Sequence, residues 1–267
     1  MASAPTILVF DSGLGGLTVF REVAKARPDV RFVYAADDAF FPYGRHDEPV
    51  LIARVLEVME QLIAAHRPDL VVVACNTAST LVLPQLRARF TVPFVGTVPA
   101  IKPACAGSRS KLVSVLGTVA TVRRDYTRTL IRDFARGCTV KLVGSPRLAE
   151  LAEAALKGEP VADAEIAAEI APCFAEGKAA RTDTIVLACT HYPLLLDRLR
   201  RLAPWPVDFV DPAPAIARRV LDLLGPPASD KSPAPPRTVF TSGRAPAAPL
   251  AAALARLGFA ETAPAGV

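Results

Sequence analysis

Asp69-Leu-Val-Val-Val-Ala-Cys75 and Asp183-Thr-Ile-Val-Leu-Ala-Cys189 are two copies of one pattern, in which an apolar run connects an aspartate to a cysteine. A polar pair follows each cysteine, Asn76-Thr77 in the first copy and Thr190-His191 in the second. An apolar stretch that contains Leu and Arg comes next in both. Such a pattern is typical of a buried strand, a turn and a helix. The chain is therefore predicted to use one strand-turn-helix unit twice.

A second, weaker echo relates two other parts of the chain. Thr6 to Gly13 and Lys111 to Thr118 are each an apolar strand that runs into a turn of Gly, Ser or Thr and then a helix. Apolar, β-branched runs alternate with stretches of helical period, which favours mostly buried parallel strands. We therefore predict an α/β fold of two pseudo-symmetric, open, mostly parallel sheets flanked by helices, with the active site in the cleft between them. The expected strands are Ile7 to Phe10, Phe32 to Tyr34, Leu70 to Val73, Leu112 to Leu116 and Thr184 to Leu187, and the clearest helices are Val50 to Ala65, Leu148 to Leu156 and Ile216 to Leu224.

The order of these segments also predicts how the chain is divided. Residues 1–97 and 209–267 are expected to form the first domain and residues 98–208 the second, since α/β connections are short and un-knotted. The stretch Gly225 to Pro236, rich in Pro and Ser, is expected to be a loop. In open parallel sheets, ligands bind beyond the carboxyl ends of the strands. Both cysteines fall there, so the two half-sites are expected to face one cleft.

The composition argues against several classes of protein. The 31 Lys and Arg residues only slightly exceed the 26 Asp and Glu residues and are scattered, so we expect no nucleic-acid partner. No uncharged apolar run is long enough to cross a bilayer, and the amino terminus lacks the charged start of a signal peptide. We therefore expect a cytoplasmic protein with no membrane partner. Five cysteines without a CxxC pair argue against a disulfide framework and a structural zinc site, so no metal is expected.

Cys75 and Cys189 are the main candidates for chemistry. A lone cysteine at the end of a strand is more often a small core residue than a catalyst. Here, however, both cysteines precede a predicted helix start, where unpaired amides favour a thiolate and can bind a carboxylate. Two thiols in equivalent positions suit a nearly symmetric reaction such as racemisation, in which one takes a proton and the other delivers one. Acyl transfer by Cys189 with His191 is the alternative, and it leaves Cys75 unexplained.

The segment Asp11-Ser-Gly-Leu-Gly-Gly16 follows a strand and opens a helix. It lacks the full glycine spacing of a dinucleotide fingerprint. Asp11 could act on a neighbouring thiol or bind an ammonium group, or it could be a simple helix cap. Neither cysteine motif contains a lysine, so a pyridoxal Schiff base has no obvious anchor there. Removing an α-proton without that electron sink requires a dry, preorganised site.

Four blocks of the sequence resemble the signature blocks of bacterial glutamate racemases, in order and at appropriate separations. They are Phe10-Asp-Ser-Gly-Leu-Gly-Gly-Leu-Thr18, Pro42-Tyr-Gly44, Ala74-Cys-Asn-Thr-Ala-Ser79 and Ala188-Cys-Thr-His-Tyr-Pro193. The resemblance spans nearly the whole chain. It implies conversion of L-glutamate to D-glutamate for peptidoglycan synthesis, without a cofactor or a metal. We also expect a homodimer.

The same resemblance implies roles for individual residues. Cys75 and Cys189 would be the acid/base pair, Asp11 would assist Cys75, and His191 with Glu153 would assist Cys189. The implied substrate contacts are Asp11, Ser12, Tyr43, Gly44, Asn76, Thr77, Thr118, Thr190 and His191.

Two stretches depart from the usual family pattern. Ser145-Pro146 stands where Cys-Pro is usual, and Gly96-Thr-Val-Pro-Ala100 replaces the more common Gly-Val-Ile-Glu-Pro. Neither departure touches an expected proton-transfer group, but they put the role of Glu153 in question. Two other functions stay open from the residues: a different thiol enzyme of the superfamily, such as an aspartate racemase or a decarboxylase, and a binding protein without catalysis. Intact cysteines in both halves favour catalysis by two thiols.

Overall fold

The computed structural model describes residues 4–177, 180–230 and 233–260, and the named strands of these ranges pair in parallel to form two sheets. The ends of the predicted first domain, residues 1–3 and 261–267, lie outside the described residues. In chain order the strands are β1 (Thr6–Asp11), β2 (Arg31–Ala36), β3 (Leu70–Val73), β4 (Phe94–Gly96), β5 (Leu112–Thr118), β6 (Thr139–Ser145), β7 (Thr184–Ala188), β8 (Asp208–Val210) and β9 (Arg237–Phe240).

The two sheets repeat one topology. The first sheet has the order β4-β3-β1-β2-β9 and the second, read from its other edge, has the order β8-β7-β5-β6. The first four strands of each half therefore occupy the same relative positions, and β9 is an addition to the first sheet. The predicted fold class is confirmed, and the two sequence echoes correspond to equivalent strands: β1 with β5, and β3 with β7.

Helices cover both faces of each sheet. They are α1 (Leu17–Ala26), α2 (Glu48–His66), α3 (Asn76–Arg89), α4 (Ile101–Gly107), α5 (Val119–Arg123), α6 (Asp125–Phe134), α7 (Leu148–Leu156), α8 (Asp163–Ile170), α9 (Leu196–Leu202), α10 (Ala213–Leu224) and α11 (Ala248–Arg256). Short 3₁₀ turns occur at Asp38–Phe40, Tyr43–Arg45, Ala171–Cys173 and Tyr192–Leu195.

The strands are continuous apolar runs because their side chains alternate between two buried faces of the sheet. Ile7 and Val9 of β1 pack with α1 and α10 in one core, whereas Leu8 and Phe10 pack with α2 and α3 in the other. Successive side chains of a strand point to opposite faces, and helices cover both faces here. Burial on both faces removes the need for polar residues along the strand.

The division into domains stays a prediction, and the structure suggests one adjustment to it. The predicted boundary between residues 208 and 209 falls inside β8, which pairs with β7 of the second sheet. The following helix, α10, packs against α1 of the first half. We propose that the chain returns to the first domain after Val210. Among the helices in the described ranges, none combines the length and apolar character needed to cross a bilayer.

Candidate active site

The two motif cysteines line one cavity between the sheets. Cys75 follows β3 and Cys189 follows β7, the equivalent strands of the two halves. The cavity is small, with a free volume of about 20 Å³, which is about the space that one water molecule needs. The residues that line it are Ser12, Phe41, Pro42, Tyr43, Gly44, Cys75, Asn76, Thr77, Thr118, Ala149, Cys189, Thr190 and His191.

Cys75 caps the amino terminus of α3. Its backbone is extended, and its Sγ accepts a hydrogen bond from the amide of Ala78 at 3.5 Å. The same sulfur lies 3.7 Å from Oγ of Ser12. Burial and the nearby charge of Asp11 raise the pKa of the Cys75 thiol to about 12, against the opposing effects of Ala78 and Ser12. The helix amide therefore lowers the pKa, as expected from the sequence, but burial outweighs it.

Cys189 has a different setting, and the predicted helix start after it is wrong. A 3₁₀ turn occupies Tyr192–Leu195, and α9 begins only at Leu196. Pro193 has no N–H to donate to the carbonyl of Cys189, which accepts from the amide of Tyr192 at 3.1 Å instead. The Sγ of Cys189 lies 3.9 Å from Nδ1 of His191. An imidazole therefore accompanies this thiol.

His191 connects Cys189 to a buried carboxylate. Its Nε2 lies 2.8 Å from Oε2 of Glu153, and both side chains are almost fully buried. Burial alone would lower the pKa of His191, but the adjoining Cys189 and Glu153 raise it well above its usual value. An ionised carboxylate can only accept a hydrogen bond, so we assign a proton to Nε2. The N–H of Gly15 points at the same nitrogen at 3.2 Å, but a protonated Nε2 has no lone pair to accept from it, so this contact is not a hydrogen bond in the imidazolium state. The second proton of the imidazolium then lies on Nδ1, towards Cys189.

Glu153 reaches the site from α7. Its Oε2 also accepts from the amide of Leu14 at 3.1 Å, and its Oε1 accepts from Nζ of Lys157 at 2.8 Å. Burial would raise the pKa of Glu153, but His191 and Lys157 lower it to about 2. The carboxylate is therefore ionised at neutral pH. Ser145 supports this helix, since its hydroxyl accepts from the amide of Leu148 at 2.9 Å.

Asp11 binds the backbone of the glycine-containing loop that precedes α1. Its Oδ2 accepts from the amides of Gly13 at 3.2 Å and Gly16 at 3.0 Å, and the hydroxyl of Thr190 lies 3.5 Å from Oδ1. The side chain is fully buried, and it is not among the described residues that line the cavity. Burial raises the pKa of Asp11, with His191 and the amide of Gly16 opposing. The structure thus places Asp11 behind the cavity, in a cap-like role.

The glycines of this loop bring the two halves into close contact. A Cβ at Gly15 would lie 2.3 Å from Nδ1 of His191, and one at Gly13 would lie 2.3 Å from Oε2 of Glu153. Both contacts cross from the first half to the second. Glycine is required here because backbone and side chain approach each other closely.

Hydroxyl and amide groups form the polar wall of the cavity. The hydroxyls of Thr77 and Thr118, one from each half, lie 3.1 Å apart, and Gly44 packs beside Thr118. The hydroxyl of Thr121, which the sequence did not single out, accepts from that of Thr118 at 2.9 Å and lies 3.3 Å from that of Thr77. The buried amide group of Asn76 has no hydrogen-bond partner among the described residues for either its nitrogen or its oxygen. Such a group is expected to bind a ligand or water.

The hydroxyl of Tyr43 is already engaged. It donates to Oδ2 of Asp37 at 2.6 Å, and Arg54 and Thr241 also bind this carboxylate. Tyr43 lines the cavity, while its hydroxyl binds Asp37, which is not among the lining residues. Asp37 was not predicted from the sequence, because its role depends on residues that are distant along the chain.

Other lining residues were also missed. Phe41 and Pro42, joined by a cis peptide bond, line the cavity. Pro42 opens the block Pro42-Tyr-Gly44, but neither residue was predicted as a substrate contact. Ala149 of α7 also lines the cavity and carries no chemical signal in its sequence. Within the described ranges, no group of three or more His, Cys, Asp or Glu side chains is arranged to hold a metal ion.

Comparisons with known proteins place the chain in a family. Residues 17–220 match the family model described as Asp/Glu/hydantoin racemase. The chain is 59% identical over 226 residues to glutamate racemase from Brucella anthropi, which covers 84% of this chain and 81% of that protein. It is 56% identical over 241 residues to glutamate racemase from Mesorhizobium japonicum, covering 89% and 92% of the two chains.

A solved structure is similar over almost the full length. The crystal structure of Escherichia coli glutamate racemase, in complex with L-glutamate and the activator UDP-MurNAc-Ala, superimposes with a TM-score of 0.88. The two sequences are 41% identical, and the match covers 97% of each chain.

Proposed function

The chain belongs to the Asp/Glu/hydantoin racemase family, and we propose that it is a glutamate racemase that interconverts L- and D-glutamate with Cys75 and Cys189. One observation carries this proposal: two cysteines from equivalent strands of two repeated sheets line the same cavity. A single nucleophilic cysteine would not require that arrangement. Two proton-transfer groups on opposite sides of one carbon do require it.

The proposed reaction moves one proton off the α-carbon and another onto it. With L-glutamate, the thiolate of Cys189 takes the α-proton, and the electron pair of the broken C–H bond stays on carbon. The thiol of Cys75 then gives its proton to the opposite face, which forms the C–H bond of D-glutamate. Cys75 is left as thiolate and Cys189 as thiol, which is the state required for the reverse direction. Nothing is oxidised or reduced.

The two thiols are proposed to be activated unequally. Cys189 has His191 and Glu153 beside it, so an imidazolium can stabilise its thiolate. Cys75 has the amide of Ala78 and the hydroxyl of Ser12, while burial and Asp11 raise its pKa to about 12. The thiolate of Cys75 therefore needs further stabilisation when substrate is bound. We propose that the ammonium group of glutamate contributes it.

We also propose that the reaction is independent of pyridoxal phosphate. Among the described residues that line the cavity, none is a lysine that could form a Schiff base. The negative charge on the α-carbon must then be stabilised by preorganised donors in a site from which water is excluded. The free amide group of Asn76 and the first amides of α3 are suited to bind a carboxylate.

The proposed substrate contacts follow from the cavity wall. Ser12, Asn76, Thr77, Thr118, Thr190 and His191 offer polar groups, while Tyr43 and Gly44 would shape the pocket. Asp11 is proposed to act through the loop that it binds. The free volume of about 20 Å³ is too small for glutamate. Binding must therefore involve a separation of the two halves or a movement of the lining side chains.

Further proposals concern the setting of the enzyme. We propose that its D-glutamate is used for bacterial peptidoglycan, that it acts in the cytoplasm, and that it functions as a homodimer without nucleic acid or membrane partners. The support for these points is the similarity to glutamate racemases.

Circular dichroism provides the test of the proposed activity. The purified chain should abolish the signal of L-glutamate and of D-glutamate without any added cofactor, and it should act far more slowly on L-aspartate. A protein that racemises aspartate preferentially, or that releases carbon dioxide from either amino acid, would instead be another thiol enzyme of the superfamily. A protein that leaves all of these substrates unchanged would not support a racemase.

A further inference from the structure

Lys157 is the charged residue that immediately follows α7. Its Nζ lies 2.8 Å from Oε1 of Glu153, one helical turn earlier. The lysine is 37% exposed, whereas Glu153 is 3% exposed. The other carboxylate oxygen, Oε2, lies 2.8 Å from Nε2 of His191. Lysine, glutamate, histidine and Cys189 therefore form a continuous row of polar groups from the surface to the cavity.

We propose that Lys157 is a positioning residue that keeps Glu153 ionised and thereby helps to hold His191 as a cation beside the thiolate of Cys189. This inference rests on the proposed function, because it assigns Lys157 a part in activating one of the two thiols. Lys157 is not among the described residues that line the cavity. Its effect passes through Glu153.

Glu153 and His191 share a proton, and its position decides whether the imidazole is charged. Between a carboxylate and an imidazole 2.8 Å apart, a proton can lie on either group, and burial favours the neutral pair. A cation on the far oxygen of Glu153 stabilises the carboxylate more than it stabilises the carboxylic acid. It therefore favours the ionised pair, with the proton on His191. The lowered pKa of Glu153 and the raised pKa of His191 agree with that state.

The other titratable groups near this pair are acids. The charges of Asp11 and Cys189 raise the pKa of His191, which favours the imidazolium. From β1, β2 and the start of α3, the neighbouring groups are Asp11, Tyr34 and Cys75, which are neutral or negative. A negative charge on Asp11 makes a thiolate nearby less favourable. In the described cluster, the cations that favour a thiolate are thus His191 and Lys157.

Charged groups on the helices that pack against α7 are already paired or exposed. On α8, Glu165 pairs with Arg147, and Glu169 accepts from the hydroxyl of Ser145. On α11, the side chain of Arg256 is exposed. These groups surround the helix, but Lys157 is the one bonded to the carboxylate of Glu153.

An ordinary ion pair on the surface of a helix would not have this effect. Such a pair between residues four apart contributes little, since water solvates both partners. Here the carboxylate is buried and bonded to an active-site histidine. A purely structural lysine would change thermal stability alone, whereas the proposed role also changes the pH dependence of Cys189.

Alkylation of Cys189 by iodoacetamide tests this role without relying on turnover. In a Cys75→Ser background, the rate of Cys189 modification is followed against pH by mass spectrometry of the modified peptide. Lys157→Gln should raise the midpoint of this profile by about half a unit to one unit, because loss of the lysine favours the neutral Glu153–His191 pair and so removes positive charge from the imidazole beside the thiolate. Lys157→Arg should restore it. Lys25→Gln, which removes a surface lysine paired with Glu22, is the matched control and should leave the midpoint unchanged.

The route through Glu153 is tested in a second background. In Glu153→Gln, adding Lys157→Gln should leave the midpoint nearly where it was, because the carboxylate that the lysine stabilises is gone. An unchanged midpoint in the first experiment would overturn the proposal. A full shift that persists in the Glu153→Gln background would also overturn it, by showing that the lysine acts directly through space.

Turnover supplies an independent readout. In the otherwise wild-type chain, Lys157→Gln should move the acid limb of kcat/KM to higher pH by a similar amount, and Lys157→Arg should not. The profile of kcat/KM must be the same in both directions because the equilibrium constant between enantiomers is one. Failure of the wild-type chain to racemise glutamate would refute the proposed function, while the alkylation profile would still decide the electrostatic role of Lys157.

Discussion

The backbone nitrogen of Gly15 lies 3.2 Å from Nε2 of His191, although the two residues belong to different halves of the molecule. The loop that binds Asp11 is therefore in direct contact with the histidine that accompanies Cys189. Since Nε2 also faces Glu153 at 2.8 Å, the same ring is held from both halves. The position of the imidazole consequently depends on how closely the halves approach.

Gly15→Ala should disturb this contact. The new Cβ would lie 2.3 Å from Nδ1 and 2.6 Å from the backbone nitrogen of His191, so the loop or the second half must shift. We expect a loss of about 1–3 kcal/mol of unfolding free energy, together with reduced kcat. Chemical denaturation and a racemisation assay measure the two effects.

Gly107→Ala is the matched control for this variant. Gly107 is the last residue of α4, and a Cβ there has no heavy atom within 4 Å among the described residues. The substitution should be neutral or slightly stabilising, because alanine restricts the unfolded chain. If Gly15→Ala were as stable and active as Gly107→Ala, the close approach would not constrain the site.

Cys75→Ser and Cys189→Ser should each abolish racemisation while the fold is kept. A serine alkoxide is far less accessible than a thiolate near neutral pH, and we expect turnover to fall by at least about a thousandfold. Circular dichroism of the backbone and of the substrate measures fold and activity in one sample. Near wild-type turnover by either variant in both directions would refute the two-thiol mechanism.

The fold could be predicted from the sequence where apolar runs are buried on both faces. Leu70–Val73 was predicted with its observed bounds, and so was the helix Leu148–Leu156. The two edge strands of the second sheet were not predicted. Thr139–Ser145 alternates exposed and buried residues, and Asp208–Val210 has only three residues, so neither contains a strong apolar run. Their assignment depends on the neighbouring strand in the sheet.

The candidate site was predictable where neighbouring residues share a motif. Cys75 with Asn76 and Cys189 with His191 were found because each pair lies at the end of a repeated strand. The positions of Asp37 and Lys157 could not be found in this way. Neither residue belongs to a motif, and only the folded chain shows that Asp37 binds Tyr43 and that Lys157 binds Glu153.

His191→Asn should affect the two directions of the reaction unequally. Asparagine cannot carry the positive charge that stabilises the thiolate of Cys189, so kcat from L-glutamate should fall more than kcat from D-glutamate, by about tenfold or more. The equilibrium constant stays at one, so any excess loss in kcat must be matched by a change in KM. Equal losses in the two kcat values would instead identify His191 as a shared substrate contact.

Glu153 should make stability depend on acid pH. Burial opposes its ionisation, but His191 and Lys157 lower its pKa to about 2, from the usual value of about 4.5 for a glutamate. A lowered folded-state pKa stabilises the fold above about pH 4.5, and that contribution is lost as the pH falls towards 2. Between about pH 4.5 and pH 2, we expect the unfolding free energy of Glu153→Gln to fall by about 1–3 kcal/mol less than that of the wild type.

Denaturation with urea at a series of pH values measures this difference. Glu159→Gln, which alters an exposed glutamate in the same part of the chain, is the control and should retain the wild-type dependence. An identical acid dependence in wild type and Glu153→Gln would show that the buried pair does not contribute as proposed.

Racemisation in heavy water tests the two-thiol mechanism most directly. The reaction is started from L-glutamate and sampled early. We predict that the D-glutamate formed carries deuterium at the α-carbon, while the remaining L-glutamate keeps its protium. That pattern follows because Cys189 removes the α-proton and Cys75, whose thiol has exchanged with solvent, supplies the other. Early D-glutamate that retains the original proton, or L-glutamate that gains deuterium as fast as D-glutamate forms, would indicate a single base and contradict the account.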